Sequence, residues 1–261
     1  MGKAPTISVL AFVSKPADVI PELGARPSHR HDRIDQARRE VFIGICAGCK
    51  RQQLPVRRFA RPPVCKLCNV AKAIGATEAD ICLGARASEG EIKRLSEAGT
   101  LRSYRIVHFA THGALAGEIS VSAEPGLLLT PPEKGTEVDD GYLSASEIAA
   151  LKLDADWVIL SACNTAAAEA KGAEALSGLA RAFFYAGARA LLVSHWAVDA
   201  EATVKLVTGA VERMASDRTV GRAEAMRQSM LAMINKGKTY EAHPKFWAPF
   251  VVVGEGAARF R

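Results

Sequence analysis

Two runs of sequence decide the fold of this chain: Arg105-Ile-Val-His-Phe-Ala-Thr-His112-Gly113 and Asp156-Trp-Val-Ile-Leu-Ser-Ala-Cys163-Asn164-Thr165. Both are short, mostly apolar and rich in β-branched residues, which is typical of strands that are covered on both faces of a sheet. Each run ends near a residue that can take part in covalent chemistry. In an open α/β sheet, reactive groups gather where parallel strands pass into loops at their carboxyl ends. We therefore expect His112 and Cys163 at one edge of a sheet.

From about residue 73, the sequence alternates predicted strands with predicted helices. The strands cover 81–84, 126–130, 190–196 and 246–253, and one more strand is predicted near the N-terminus, at 7–13. Two helices are predicted to begin at the capping boxes Ser88-Glu-Gly-Glu91 and Ser144-Ala-Ser-Glu147. Another covers 172–187, and two amphipathic helices follow between residues 204 and 234. This alternation predicts an α/β fold with a mostly parallel sheet and helices on both faces.

The pairing of a histidine with a cysteine suggests nucleophilic catalysis. A cysteine attacks as its thiolate, and a nearby imidazole accepts the proton or stabilises the anion. Cys163 follows His112 by 51 residues, an order and spacing similar to those of caspases. Gly113 leaves room for a substrate carbonyl, and its N–H with that of Cys163 is a candidate oxyanion hole. His112 could be oriented by a backbone carbonyl or by Asp139 or Asp140. The alternative is that Cys163 is a small buried hydrophobic residue, as free cysteines usually are.

Three ordered motifs resemble the CHAT family. They are His108-Phe-Ala-Thr-His112-Gly113, then Val158-Ile-Leu-Ser-Ala-Cys163-Asn-Thr165, then the run from Gly172 to Ala190-Leu-Leu-Val-Ser-His-Trp196. The resemblance implies a caspase-like peptidase domain at 73–261, with His112 and Cys163 as its catalytic dyad. It also implies cleavage of peptide bonds, usually in a partner protein, within bacterial regulatory or defence systems. The alternative is a catalytically inactive CHAT-type interaction or regulatory domain.

The resemblance also bears on partners. Such domains are often found beside tetratricopeptide repeats. This sequence contains no such array, so we expect a separate regulatory partner that carries the repeats, in addition to a protein or peptide substrate.

Two further residues are candidates for substrate binding. His195 lies near the end of the predicted strand 190–196, and Asp199 follows shortly after. In one interpretation both line the substrate cleft, and Asp199 or Glu201 favours a basic P1 side chain. In the other, which we favour, Asp199 is the N-cap of the next helix. His108 is expected to lie inside its strand as a hydrogen-bonded structural residue, and Cys82 in the core.

Residues 1–72 are predicted to be an irregular basic segment. Between Arg26 and Lys66 there are 11 Lys/Arg residues against 3 Asp/Glu. The same segment holds Cys46, Cys49, Cys65 and Cys68, whose spacing fits a tetrahedral four-thiolate zinc site. The alternative is a chance arrangement in an atypical segment. A structural zinc is thus a candidate cofactor, whereas thiol catalysis itself requires none.

Composition sets the outer limits. A chain of 261 residues with 49% hydrophobic residues can form one sizeable α/β domain with a small appendage. No apolar run approaches the about 18 residues of a membrane-spanning helix, so no membrane partner is expected. Six cysteines without export features indicate a reducing compartment, and we expect a cytoplasmic protein. The sequence has no Walker A, Rossmann glycine or zincin motif. Outside the basic segment the charge is near neutral, and nucleic acid is not an expected partner. The alternative is that the basic cysteine-rich segment is a zinc-dependent contact to nucleic acid.

Overall fold

The computed structural model describes residues 9–13, 80–116, 123–132, 134–136, 138–161, 178–196 and 199–258. In chain order its strands are β1 (Val9–Val13), β2 (Ile81–Leu83), β3 (Ile106–Ala110), β4 (His112–Ala114), β5 (Gly126–Leu128), β6 (Tyr142–Ser144), β7 (Trp157–Leu160), β8 (Ala190–Ser194) and β9 (Phe250–Gly254). Six of them form a central sheet in the order β2-β1-β3-β7-β8-β9. The first five strands of that order are parallel, and β9 runs antiparallel to β8.

Helices cover both faces of the central sheet. They are α1 (Glu89–Glu97), α2 (Ala145–Ala150), α3 (Gly178–Tyr185), α4 (Ala200–Ser216) and α5 (Arg222–Lys236), with short 3₁₀ turns at Gly84–Arg86, Thr100–Ser103, Thr239–Ala242 and Pro244–Phe246. Side chains alternate between the faces along each strand. Val107 and Phe109 of β3 pack with α1, α2 and α3, whereas Ile106 packs with α4 and α5. The predicted α/β fold with a mostly parallel sheet and two helical layers is confirmed.

A second, smaller sheet carries the first candidate residue. β4, β5 and β6 form an antiparallel sheet in that order. The sequence predicted one strand through 105–113, but β3 ends at Ala110 and the chain turns at Thr111, whose hydroxyl donates to the carbonyl of Leu128 in β5. His112 is therefore the first residue of β4 in the small sheet, and not the last residue of a central strand.

The helix starts follow the predicted caps. Ser144 and Glu147 form a complete capping box at α2, in which each side chain accepts from the backbone N–H of the other residue. At α1 only half of the box forms. The Ser88 hydroxyl accepts from the Glu91 N–H, while the Glu91 carboxylate pairs with Arg94 at 2.8 Å. Both serines are nonetheless N-caps, as predicted.

The ends of several predicted elements differ from the observed ones; the strand predicted at 190–196, for example, ends at Ser194. The last strand begins at Phe250 and not at residue 246, because Pro244 to Phe246 form a 3₁₀ turn. Only 178–185 of the predicted helix 172–187 is seen as α3, and residues 171–177 lie outside the described part of the chain.

The N-terminal strand belongs to the central sheet. β1 lies between β2 and β3 and pairs with both in parallel, so a strand of the predicted segment 1–72 contributes to the same sheet as the domain at 73–261. The boundary between 72 and 73 falls outside the described residues and stays a prediction. Among the helices that the structure describes, none is long and apolar enough to cross a membrane.

Candidate functional site

Three neighbouring parallel strands end at the same edge of the central sheet. β7 lies between β3 and β8, and the register pairs Phe109 of β3 with Leu160 of β7. The Ser161 N–H extends this ladder by donating to the Phe109 carbonyl at 2.9 Å. Neighbouring strands lie about 4.8 Å apart, so the ends of β3, β7 and β8 lie within about 10 Å of one another. This carboxyl edge is the candidate site.

His112 lies at this edge, directly after β3. Its ring is half-buried, and it stands opposite Leu128 in the small sheet. The preceding residue, Thr111, is buried and its hydroxyl donates to the Leu128 carbonyl. The backbone of His112 is thus held on both sides, by the end of β3 and by β5.

The N–H of Gly113 points away from β5, the neighbouring strand of the small sheet. The Leu129 N–H donates to the carbonyl of Gly141, so the backbone groups of Leu129 point towards β6. Because these directions alternate along an antiparallel strand, the backbone groups of Leu128 point towards β4, where its partner is His112. Gly113 is the next residue along β4, so its N–H is directed away from β5.

Cys163 lies outside the described residues, which end on this side at Ser161. The structure therefore places one half of the predicted dyad, His112, at the carboxyl edge. It also places Ser161, two residues before Cys163, on the neighbouring strand. The pairing of His112 with Cys163 and the oxyanion role of Gly113 and Cys163 stay predictions.

His108 is a buried histidine whose side chain contacts Ser161, the residue directly after β7. Its ring is 3% exposed, and its Nε2 lies 2.6 Å from the Ser161 Oγ. Burial lowers the pKa of His108 from 6.5 to about 4, so the imidazole is neutral at pH 7. The predicted structural histidine is confirmed. The sequence did not identify Ser161 as its partner, because that contact depends on the register between β3 and β7.

The end of β8 adds exposed groups to the same edge. His195 is exposed, and its backbone N–H donates to the carbonyl of Pro249. The ring of Trp196, which the sequence had not singled out for a role, is 44% exposed. Asp199 is the N-cap of α4, since its Oδ1 accepts from the Ala202 N–H at 2.8 Å. The cap is the interpretation that the sequence favoured. Substrate contacts by His195 and Asp199 stay predictions.

The two loop carboxylates proposed to orient His112 make other bonds. Asp139 Oδ2 accepts from the Gly90 N–H at 3.0 Å, and Asp140 Oδ1 accepts from the Tyr142 N–H at 2.8 Å. Both bonds hold the loop that leads into β6. They tie this loop to the start of α1 and to β6.

The proposed zinc ligands Cys46, Cys49, Cys65 and Cys68 lie outside the described residues, and the structural zinc stays a prediction. Within the described ranges, no three His, Cys, Asp or Glu side chains are grouped closely enough to hold a metal ion. Cys82 in β2 is buried and reduced, as expected for a core residue, and its burial raises the pKa of the thiol.

The sequence matches one family model, and the fold is similar to that of a solved structure. The family model described as the CHAT domain matches residues 24–255. Among solved structures, the chain is similar to the crystal structure of the Arg-specific cysteine proteinase gingipain R, with 12% sequence identity and a TM-score of 0.48. The match covers 77% of this chain and 44% of that one, so the chain spans less than half of the proteinase's length. No curated protein matches the sequence.

Proposed function

Since this chain belongs to the CHAT domain family, we propose that it is a cysteine endopeptidase that cleaves a partner protein through His112 and Cys163. The observation that carries the proposal is the parallel register of β3 and β7. It brings the chain segments that lead to these two residues to one edge of the sheet. The half-buried ring of His112 lies at that edge, and Ser161 precedes Cys163 by two residues on the adjacent strand.

The first chemical step forms a thioester. The Cys163 thiolate attacks the scissile carbonyl carbon, a C–S bond forms, and the carbonyl electrons move onto oxygen. The N–H groups of Gly113 and Cys163 donate to this oxyanion. The outward direction of the Gly113 N–H supports its part in this step. His112 then gives a proton to the leaving amine, the C–N bond breaks, and the acyl group remains on Cys163.

The second step releases the acyl group. His112 accepts a proton from water as the water oxygen attacks the thioester carbonyl. The C–S bond breaks, the new carboxylic acid leaves, and the Cys163 thiolate is restored with the proton held on His112. The dyad therefore returns to its starting state without a metal or an organic cofactor.

We further propose that the end of β8 binds the substrate. His195 and Trp196 are exposed beside the end of β7, and Asp199 is exposed at the start of α4. Asp199 uses Oδ1 to cap the helix, and its carboxylate can still attract a basic P1 side chain. In this interpretation Asp199, at the start of α4, determines which P1 side chain is preferred.

Two cysteine variants test the proposed function. Cys163→Ala removes the nucleophile, whereas Cys82→Ala removes a buried thiol from β2, which β1 and β3 separate from β7 in the central sheet. With a fluorogenic peptide library as substrate, we expect Cys163→Ala and His112→Ala to lose about 10³-fold or more of the parent activity. Cys82→Ala should keep its activity. Hydrolysis by Cys163→Ala at the parent rate would overturn the assignment, and a parent without turnover would favour an interaction domain.

A further inference from the structure

One hydrogen bond joins the strand that leads to His112 with the strand that leads to Cys163. The Nε2 of His108 lies 2.6 Å from the Ser161 Oγ. His108 stands four residues before His112, inside β3, and Ser161 stands two residues before Cys163, directly after β7. The contact therefore lies a few residues before each member of the proposed dyad, His112 and Cys163.

The register explains how these two side chains meet. His108 is the direct partner of Ile159 in the parallel pair, and Ser161 follows two residues later on the same face of β7. Side chains at such diagonal positions are within reach of a long or aromatic side chain. The bond thus links the middle of β3 to the first residue after β7. It is a side-chain contact, in addition to the backbone hydrogen bonds that pair the two strands.

The histidine end of this contact is fixed. His108 is 3% exposed, and its neighbours Val107 and Phe109 are fully buried in the core. On the β7 side, Leu160 is also buried, while Ser161 is half-buried. A buried imidazole therefore holds the hydroxyl group of the first residue after β7.

We propose that His108 is a positioning residue, which acts through the Ser161 hydroxyl to fix Ser161, two residues before Cys163. The position of the Cys163 sulfur relative to His112 then depends on this bond. The inference rests on the proposed function. A displacement of about 1 Å between reacting groups can reduce a rate about 100-fold, so we expect the loss of this hydrogen bond to slow the reaction of Cys163.

The variants separate positioning from simple core packing. His108→Leu and Ser161→Ala remove the bond, whereas His108→Gln and Ser161→Thr keep a side chain that can form it. Ser229→Ala is the matched control. Ser229 is buried in α5 and its hydroxyl donates to the Leu206 carbonyl at 2.8 Å, so this variant loses a buried hydroxyl bond between two helices.

The readout is the pH profile of Cys163 alkylation by iodoacetamide, followed by mass spectrometry of the peptide that contains Cys163. In the parent, we expect a reactive thiolate with a pKa below the usual value of about 8.5. His108→Leu and Ser161→Ala should react about tenfold or more slowly at pH 7, with the profile moved towards that usual value. The Gln and Thr variants should lie close to the parent, and Ser229→Ala should match it even if its melting temperature falls.

Each outcome is decisive. If the parent profile shows an activated thiolate and the Leu and Ala variants share it, the positioning role is overturned and the proposed function stands. If the parent profile is that of an ordinary thiol, the proposed function and the positioning role are both overturned. Should His108→Leu fail to fold, Ser161→Ala decides the question, since it only shortens a half-buried side chain.

Discussion

Acid is expected to destabilise this protein through His108. Burial lowers the pKa of His108 from 6.5 to about 4. Between these two values, the unfolded chain binds a proton on this ring that the folded chain does not bind. The free energy of unfolding therefore falls as the pH drops through this window. The stabilisation is fully present above pH 6.5 and is lost by about pH 4.

The size of the effect follows from the same values. Each pKa unit corresponds to about 1.4 kcal/mol, so lowering the pKa from 6.5 to about 4 amounts to about 3 kcal/mol between pH 7 and pH 4. For a domain of about 150–250 residues, each kcal/mol changes the melting temperature by about 2–4 °C. The decrease that belongs to His108 is thus about 6–12 °C.

Urea unfolding at pH 7 and pH 4 measures this contribution. The reference is His108→Gln, which keeps a side chain able to contact Ser161 but has no proton to gain. All other titrating groups are common to both proteins, so their effects cancel in the difference. We expect the parent to lose about 3 kcal/mol more than the variant over this pH range. Equal losses would refute the assignment of a buried, neutral imidazole.

Two further substitutions test the architecture around the site. Glu89→Ala removes a buried carboxylate that pairs with Lys93 at 2.6 Å and accepts from two backbone N–H groups of the loop before β6, at 2.9 and 3.1 Å. Urea unfolding should show a loss of about 3–5 kcal/mol, whereas Glu91→Ala, which breaks an exposed pair, should lose less than about 1 kcal/mol; similar losses would contradict this view. Gly187 has φ +103°, and a Cβ there would lie 2.5 Å from the Leu153 carbonyl oxygen. Gly187→Ala should therefore lower the free energy of unfolding by about 1–3 kcal/mol or more in the same assay. Gly135→Ala, with open space around it, should leave this free energy unchanged. An unchanged free energy of unfolding in Gly187→Ala would show that the turn tolerates a side chain.

Elements with local signals were predicted from the sequence. Ser144 and Glu147 satisfy each other within three residues, so the start of α2 could be identified without knowing the fold. The break at Thr111 could not. The strand-like pattern of β3 continues to His112, and the bond that turns the chain joins Thr111 to Leu128, 17 residues further on. A contact between residues so far apart in the sequence cannot be predicted from the local pattern of apolar and polar residues.

The candidate site was predictable to a similar extent. The position of His112 at the carboxyl edge followed from the general behaviour of parallel strands. The Ser161 partner of His108 did not, because it depends on which residues of β3 and β7 stand side by side. Asp199 had two interpretations; the sequence favoured the helix cap, and the hydrogen bond from the Ala202 N–H confirms it.

The division into two sheets has a mechanical consequence. His112 belongs to the three-stranded sheet, whereas Ser161 follows a strand of the six-stranded one. The two sheets nevertheless share one core, because Leu127 of β5 and Leu143 of β6 lie in the same buried cluster as Phe109 of β3. A substitution that loosens the packing of Leu127 or Leu143 would therefore also change how His112 is held beside the end of β7.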